Sequence, residues 1–209
     1  MFDGIANNRI LQMTGQEKRW FDNVKKAFYH SDIEIKKGKP EDKCLEELFK
    51  AIDTAKTLRL SLRGENVSQK ENHKKFIDFL ALEIPSVKSS EPKLELREIG
   101  REKSEQYSLG DIIYKIRCKI HENENLNCAE NVGYHILLDW SNPDVFFAGK
   151  IKNGRFVCNG HFLWNILREI LAKFITYIEG VFSLAENQTF SCTIIPELCS
   201  IRHSKIMKS

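Results

Sequence analysis

The sequence predicts a mainly α-helical, up-and-down bundle with a small β-hairpin set in before the last long helix. Three observations predict it. Apolar residues recur at spacings of three and four through most of the long segments. Short turns carrying Gly, Pro and capping residues join those segments. Late in the chain one Asn-Gly pair, Asn153-Gly154, marks a hairpin, because it accepts the positive φ that a two-residue turn demands. The 209 residues suit a single domain over 1–209 and can bury a sizeable core without disulfides or a metal.

Residues 1–15 read as a frayed arm. Thr14 and Glu17 then make a capping box, in which each side chain accepts a backbone N–H of the other. The helix they open runs from Gln16 to about Lys37 and buries Trp20, Phe21, Val24, Ala27, Phe28 and Ile35. Gly38 and Pro40 end it and start the next, which runs from about Glu41 to Leu62. Leu45, Leu48, Phe49, Ile52, Ala55 and Leu58 are its core face, and Arg63-Gly64 stops it. Ser68 and Glu71 form a second capping box for a third helix that reaches about Glu83 and packs through Phe76, Ile77, Phe79 and Leu80. Residues 86–106 are charged, with Pro92 inside. They read as an exposed connection with a short strand or helical turn at Leu94–Ile99.

Tyr107–His121 (YSLGDIIYKIRCKIH) is the stretch with chemical potential. Ser108 caps it, and Asp111 three residues on gives a weak capping-box variant. Leu109, Ile112, Ile113, Ile116 and Ile120 make one apolar stripe. Arg117 lies at the edge of the stripe and His121 just beyond, four residues apart, so guanidinium and imidazole stand on one face. Two readings of the pair stand side by side. In the structural one, Arg117 pairs with a carboxylate such as Asp111 or a glutamate that follows, and His121 sits at the helix C-terminus, where a cation suits the dipole. In the chemical one, guanidinium and imidazole reach one target together.

Beyond this helix, Tyr134–Trp140 and Val145–Lys150 look extended, and Phe156–Cys158 returns from the Asn-Gly turn as a small hairpin, not a full sheet. Asn159 caps the last long helix, Gly160 or His161 to about Leu184. Its wide apolar face, from Phe162 to Phe182, predicts burial on two sides, in the bundle centre or against a second subunit. The tail 187–209 carries a β-like piece, Thr189–Ile195, and then basic residues.

The phrase LGDIIYKIRCKIHENENL at Leu109–Leu126 resembles the segment of HEPN-type domains in which Tyr-Lys-Leu-Arg is followed a few residues on by His. These domains are helical bundles of prokaryotic defence and toxin–antitoxin systems. In active members, Arg and His of two subunits meet at a dimer interface and cleave RNA without metal. Carried over, the match gives Arg117 and His121 as catalytic candidates, with Tyr114, Asp111 and Cys118 in support. Active members commonly place a longer spacer between Arg and His than Cys118, Lys119 and Ile120, and a polar residue where Cys118 stands. The resemblance therefore implies first a non-catalytic HEPN-like module that binds a partner protein or nucleic acid. Its alternative is a metal-independent endoribonuclease using Arg117 and His121 across a homodimer. The implied partners are a second copy, an RNA or an antitoxin-like protein.

Composition narrows the remaining classes. With 42% hydrophobic and 29% charged residues the chain is ordinary globular material, and its net charge of +3 permits a nucleic-acid partner without arguing for one. The start lacks a signal peptide's basic and apolar regions, and Phe162–Leu184 is interrupted by Asn165, Arg168, Glu169, Lys173 and Glu179. The expectation is a cytoplasmic protein with no membrane span. The six cysteines contain no CxxC pair, so free, mostly buried thiols are expected. Cys158, His161, Cys192 and Cys199 match no standard zinc spacing, and His30 reads as a structural residue near the core edge. Gly-rich phosphate loops, GxSxG elbows and HExxH are absent. No cofactor and no metal are expected.

Overall fold

The computed structural model describes residues 5–36, 41–66, 71–82, 84, 94–97, 104–122, 124, 126, 136–141, 149–152 and 155–203. Its helices are α1 (Asn7–Leu11), α2 (Gly15–Lys36), α3 (Glu41–Leu62), α4 (Asn72–Leu80), α5 (Leu109–His121) and α6 (Gly160–His203). The strands are β1 (Leu94–Arg97), β2 (Ser104–Tyr107), β3 (Ile136–Asp139), β4 (Gly149–Lys152) and β5 (Arg155–Asn159). The fold is mainly α, as the apolar periodicity predicts. Among the described residues, no helix is long and apolar enough to cross a membrane.

Local chemistry sets most boundaries. The Thr14–Glu17 capping box forms: Glu17 N–H donates to the Thr14 hydroxyl at 3.2 Å, and Thr14 N–H donates to the Glu17 carboxylate at 2.8 Å. α3 closes on Gly64, whose φ of 70° lets Glu65 N–H reach back to the Leu60 carbonyl at 2.8 Å, a Schellman closure. Of the Ser68–Glu71 box expected to open α4, Glu71 is described and stands as the N-cap, with no side-chain capping hydrogen bond. The helix starts at Asn72, after Glu71 in the left-handed region (φ 60°), and Ser68 lies outside the described residues. Asn159 does cap α6, accepting Phe162 N–H at 2.7 Å.

The core sits where α2, α3 and α6 meet. Phe21, Val24, Phe28, Leu48, Phe49, Ile52, Leu167, Ile170, Leu171, Phe174 and Ile178 are all buried. The Ser61 hydroxyl at the end of α3 donates to Glu17 at the start of α2, so the two helices run antiparallel. α4 reaches α6 through an edge-on Phe79–Phe174 contact. The wide face of α6 is therefore covered by its own chain through Val181.

Four expectations are corrected. The arm at 1–15 is not frayed over its described part: Ile5, Ile10 and Met13 are buried, and the Tyr177 hydroxyl on α6 donates to the Ile5 carbonyl at 3.2 Å. The connection 86–106 has its expected short strand at Leu94, which is β1, but a second strand, β2, closes it and pairs antiparallel with β1, Leu94 opposite Tyr107. The hairpin belongs to a three-stranded sheet of order β3–β5–β4. β4 and β5 form the expected hairpin, while β3 runs parallel to β5, with Ile136 opposite Phe156. Its buried side chains, among them Ile136, Leu138, Phe156 and Cys158, join the core. Finally, Thr189–Ile195 is not a β-like piece of a separate tail but part of α6, which runs to His203. Once nucleated, a helix gains one bond per added residue, so a short β-favouring stretch is carried along.

Candidate functional site

α5 forms as its sequence dictates. The Ser108 hydroxyl accepts Asp111 N–H at 3.1 Å, and Asp111 accepts Ser108 N–H at 2.8 Å and the Ser108 hydroxyl at 2.7 Å. Ile112, Ile113, Ile116 and Ile120 are buried by the chain's own helices, so the stripe beside the Arg–His pair is not left open for a second copy.

Arg117 turns from this stripe toward α3. Its Nε and Nη2 donate to one oxygen of Asp53, at 2.9 and 2.7 Å. Nη1 faces the Cys118 sulfur at 3.7 Å, and the guanidinium carbon stands 5.5 Å from the Tyr114 ring centre. The other Asp53 oxygen accepts from Lys56 Nζ at 2.8 Å, and Lys56 also donates to the Asn72 side-chain carbonyl at the start of α4. One carboxylate thus holds two cations, with Arg117 18% and Lys56 7% exposed at their side chains. Burial alone pulls the Arg117 pKa down, but the hydrogen bonds and charge of Asp53 outweigh it and hold the group above its ordinary value.

The supporting residues complete a layer around this centre. Tyr114 lies under Arg117, packs edge-on against Phe76 and stacks tilted on His73, with ring centres 4.5 Å apart. Burial is the main cause that raises its pKa, with Cys118 adding to it. Asp111 meets His73 Nε2 at 3.0 Å besides capping the helix. Cys118 is half-buried and free.

His121 does not join Arg117 at a common target. It is half-buried, and its Nδ1–H donates to the Arg117 carbonyl at 2.9 Å, one turn back on its own helix. That bond places a proton on Nδ1 and leaves Nε2 as the ring's second nitrogen.

The sequence reading thus places Arg117, Tyr114, Cys118 and Asp111 in one neighbourhood and leaves His121 at its edge. It missed Asp53, Lys56 and Asn72. The structural alternative for Arg117 holds in kind but not in partner: the carboxylate is Asp53, not Asp111 or a following glutamate. Asp53 and Lys56 are three apart on α3, but nothing local ties them to a residue 64 positions on.

The other candidates do different work. Cys158 is buried, donates to the Asn159 carbonyl at 3.8 Å and has its thiol pKa pushed up to about 12 by burial. His161 donates through Nε2 to the Trp140 carbonyl at 2.8 Å. Cys44 is a second buried cysteine, while the side chains of Cys192 and Cys199 lie outside the described residues. His30 is exposed, not at the core edge, and lines an open groove of about 880 Å³ with Tyr29, Lys26, Glu47 and Lys50.

The fold and site define a mainly helical protein whose conspicuous basic pair is tied into its own scaffold. No family model matches the chain, and searches of curated proteins and of solved structures likewise find no match.

Proposed function

We propose that this chain is a non-catalytic, HEPN-like helical module of a defence or stress system, working in the cytoplasm by binding a partner protein or nucleic acid. The observation that supports the non-catalytic part is the engagement of Arg117. Two of its three guanidinium nitrogens are committed to Asp53, so the fork that would hold a scissile phosphate is already filled by a carboxylate of the same chain. His121 is bonded through Nδ1 to a backbone carbonyl of its own helix. The short Arg–His spacer and Cys118 agree with this reading.

The alternative is metal-independent RNA cleavage across a homodimer, and one observation favours it: the Nδ1 bond of His121 leaves Nε2 available for proton transfer. Incubating single-stranded RNA with the parent, H121A and R117A in the presence of chelator separates the two. The module reading expects no cleavage by the parent above the level of the variants. Cleavage by the parent that is lost in H121A overturns it and installs the nuclease.

A further inference from the structure

Along α3, Lys56, Arg59 and Arg63 follow one another at helical spacing, and α4 turns Lys75 and Asp78 toward them. The two faces enclose a cavity of about 310 Å³, closed at one end by Glu65 of the turn after α3. Four cations and two carboxylates line it. Glu65 is already taken by Arg63 Nε at 2.6 Å, and Lys75 donates to the Asn66 carbonyl at 3.1 Å.

Arg59 is the odd member. It is 8% exposed, yet its buried Nε has no hydrogen-bond partner and its guanidinium no ion pair among the described residues. Burial and then the charge of Arg63 pull its pKa down, against the charges of Glu65 and Asp78. A guanidinium does not deprotonate at working pH, so this charge stays buried and short of a counterion. A planar fork at the back of a mostly cationic cavity suits a tetrahedral oxyanion, which offers several acceptor oxygens at once.

We propose that the α3–α4 cavity is an anion site for a phosphate group, free or at the end of a small phosphomonoester, with Arg59 as its principal ligand. The cavity holds one such group and a short ester. Its walls are two helices, a shape that favours a compact group over a continuous nucleic-acid strand. The proposal does not depend on the reading of Arg117 and His121.

Thermal unfolding of the full chain at fixed ionic strength tests it, with sodium chloride exchanged for inorganic phosphate or for glycerol 3-phosphate. The parent is expected to melt several degrees higher in either phosphate than in chloride, since a ligand that binds only the folded state stabilises it. Arg59→Met removes the uncompensated charge. It is expected to melt no lower than the parent in chloride and to lose the phosphate response. Lys75→Met, on the opposite wall, is expected to weaken the response several-fold and serves alone if Arg59→Met does not fold. A phosphate response that survives both variants, or none in the parent, overturns the proposal. So does displacement of bound phosphate by a single-stranded RNA lacking terminal phosphates, since a strand would then be the occupant.

Discussion

Asp53 neutralises one of two cations and leaves the pair with Arg117 and Lys56 carrying a net positive charge in a place largely shut off from water. Replacing it with its amide keeps the shape and removes the charge. Both cations then face each other with only neutral acceptors between them. D53N is expected to destabilise the chain by about 1.5–3 kcal/mol, the usual range for hydrogen bonds to charged groups. The midpoint of chemical denaturation would show it. Because the loss comes from stranded charge, adding R117M to D53N is expected to recover part of it. An unchanged midpoint for D53N would mean that solvent already screens the centre.

At the scale of elements, the junction of β5 with α6 has no linker: Asn159 ends the strand and Gly160 opens the helix. A Cβ at Gly160 would fall inside the indole of Trp140, which His161 also contacts edge-on. Alanine improves helix propensity by about 1 kcal/mol, but overpacking against a ring costs about 1–3 kcal/mol, so steric overlap decides the sign. G160A is expected to lower the urea midpoint, whereas a midpoint above the parent's would show that the ring moves aside freely. The helices around this junction were largely legible in the sequence, because their signals are local. α3 spans Glu41–Leu62 as predicted, since its apolar repeat and the Gly64 closure sit within one segment. The α5 capping box, a weak variant by its sequence, forms in full for the same local reason. The parallel pairing of β3 with β5 was not, since it joins strands separated by β4 and leaves no turn signature. The same limit applies to the site. Arg117 was visible as a candidate, but the chain has 29 acidic residues and no pattern selects Asp53 among them. Arg59 looked like any other charge on a helix until α4 closed over it.

For the whole molecule, Glu17 is the acid that joins separate parts. It is 2% exposed, caps α2, pairs with Arg9 of α1 and accepts from Ser61 of α3. Burial pushes its pKa up, but the bonds from Ser61, Thr14 and Arg9 together outweigh burial and bring it down from 4.5 to about 2. A carboxylate lowered in the folded state stabilises that state fully above its unfolded pKa. The contribution is lost as pH falls from about 4.5 toward 2. It is on the order of 3 kcal/mol at neutral pH by linkage. E17Q is expected to be less stable at pH 7 and to show a flatter stability profile over that acid range, measured by denaturation at stepped pH. A parallel profile for E17Q and parent would assign the acid sensitivity elsewhere.

Arg9 and its five-residue α1 depend on that carboxylate in turn. So short a coil has no standing in water by itself, because nucleation outweighs what five residues return. It exists only as a plug, with Ile10 pressed home and Tyr177 gripping the backbone at Ile5. Cutting the chain back to Gly15 would thus uncork the oily flank of α6 and leave a sticky molecule where a trimmed one was intended.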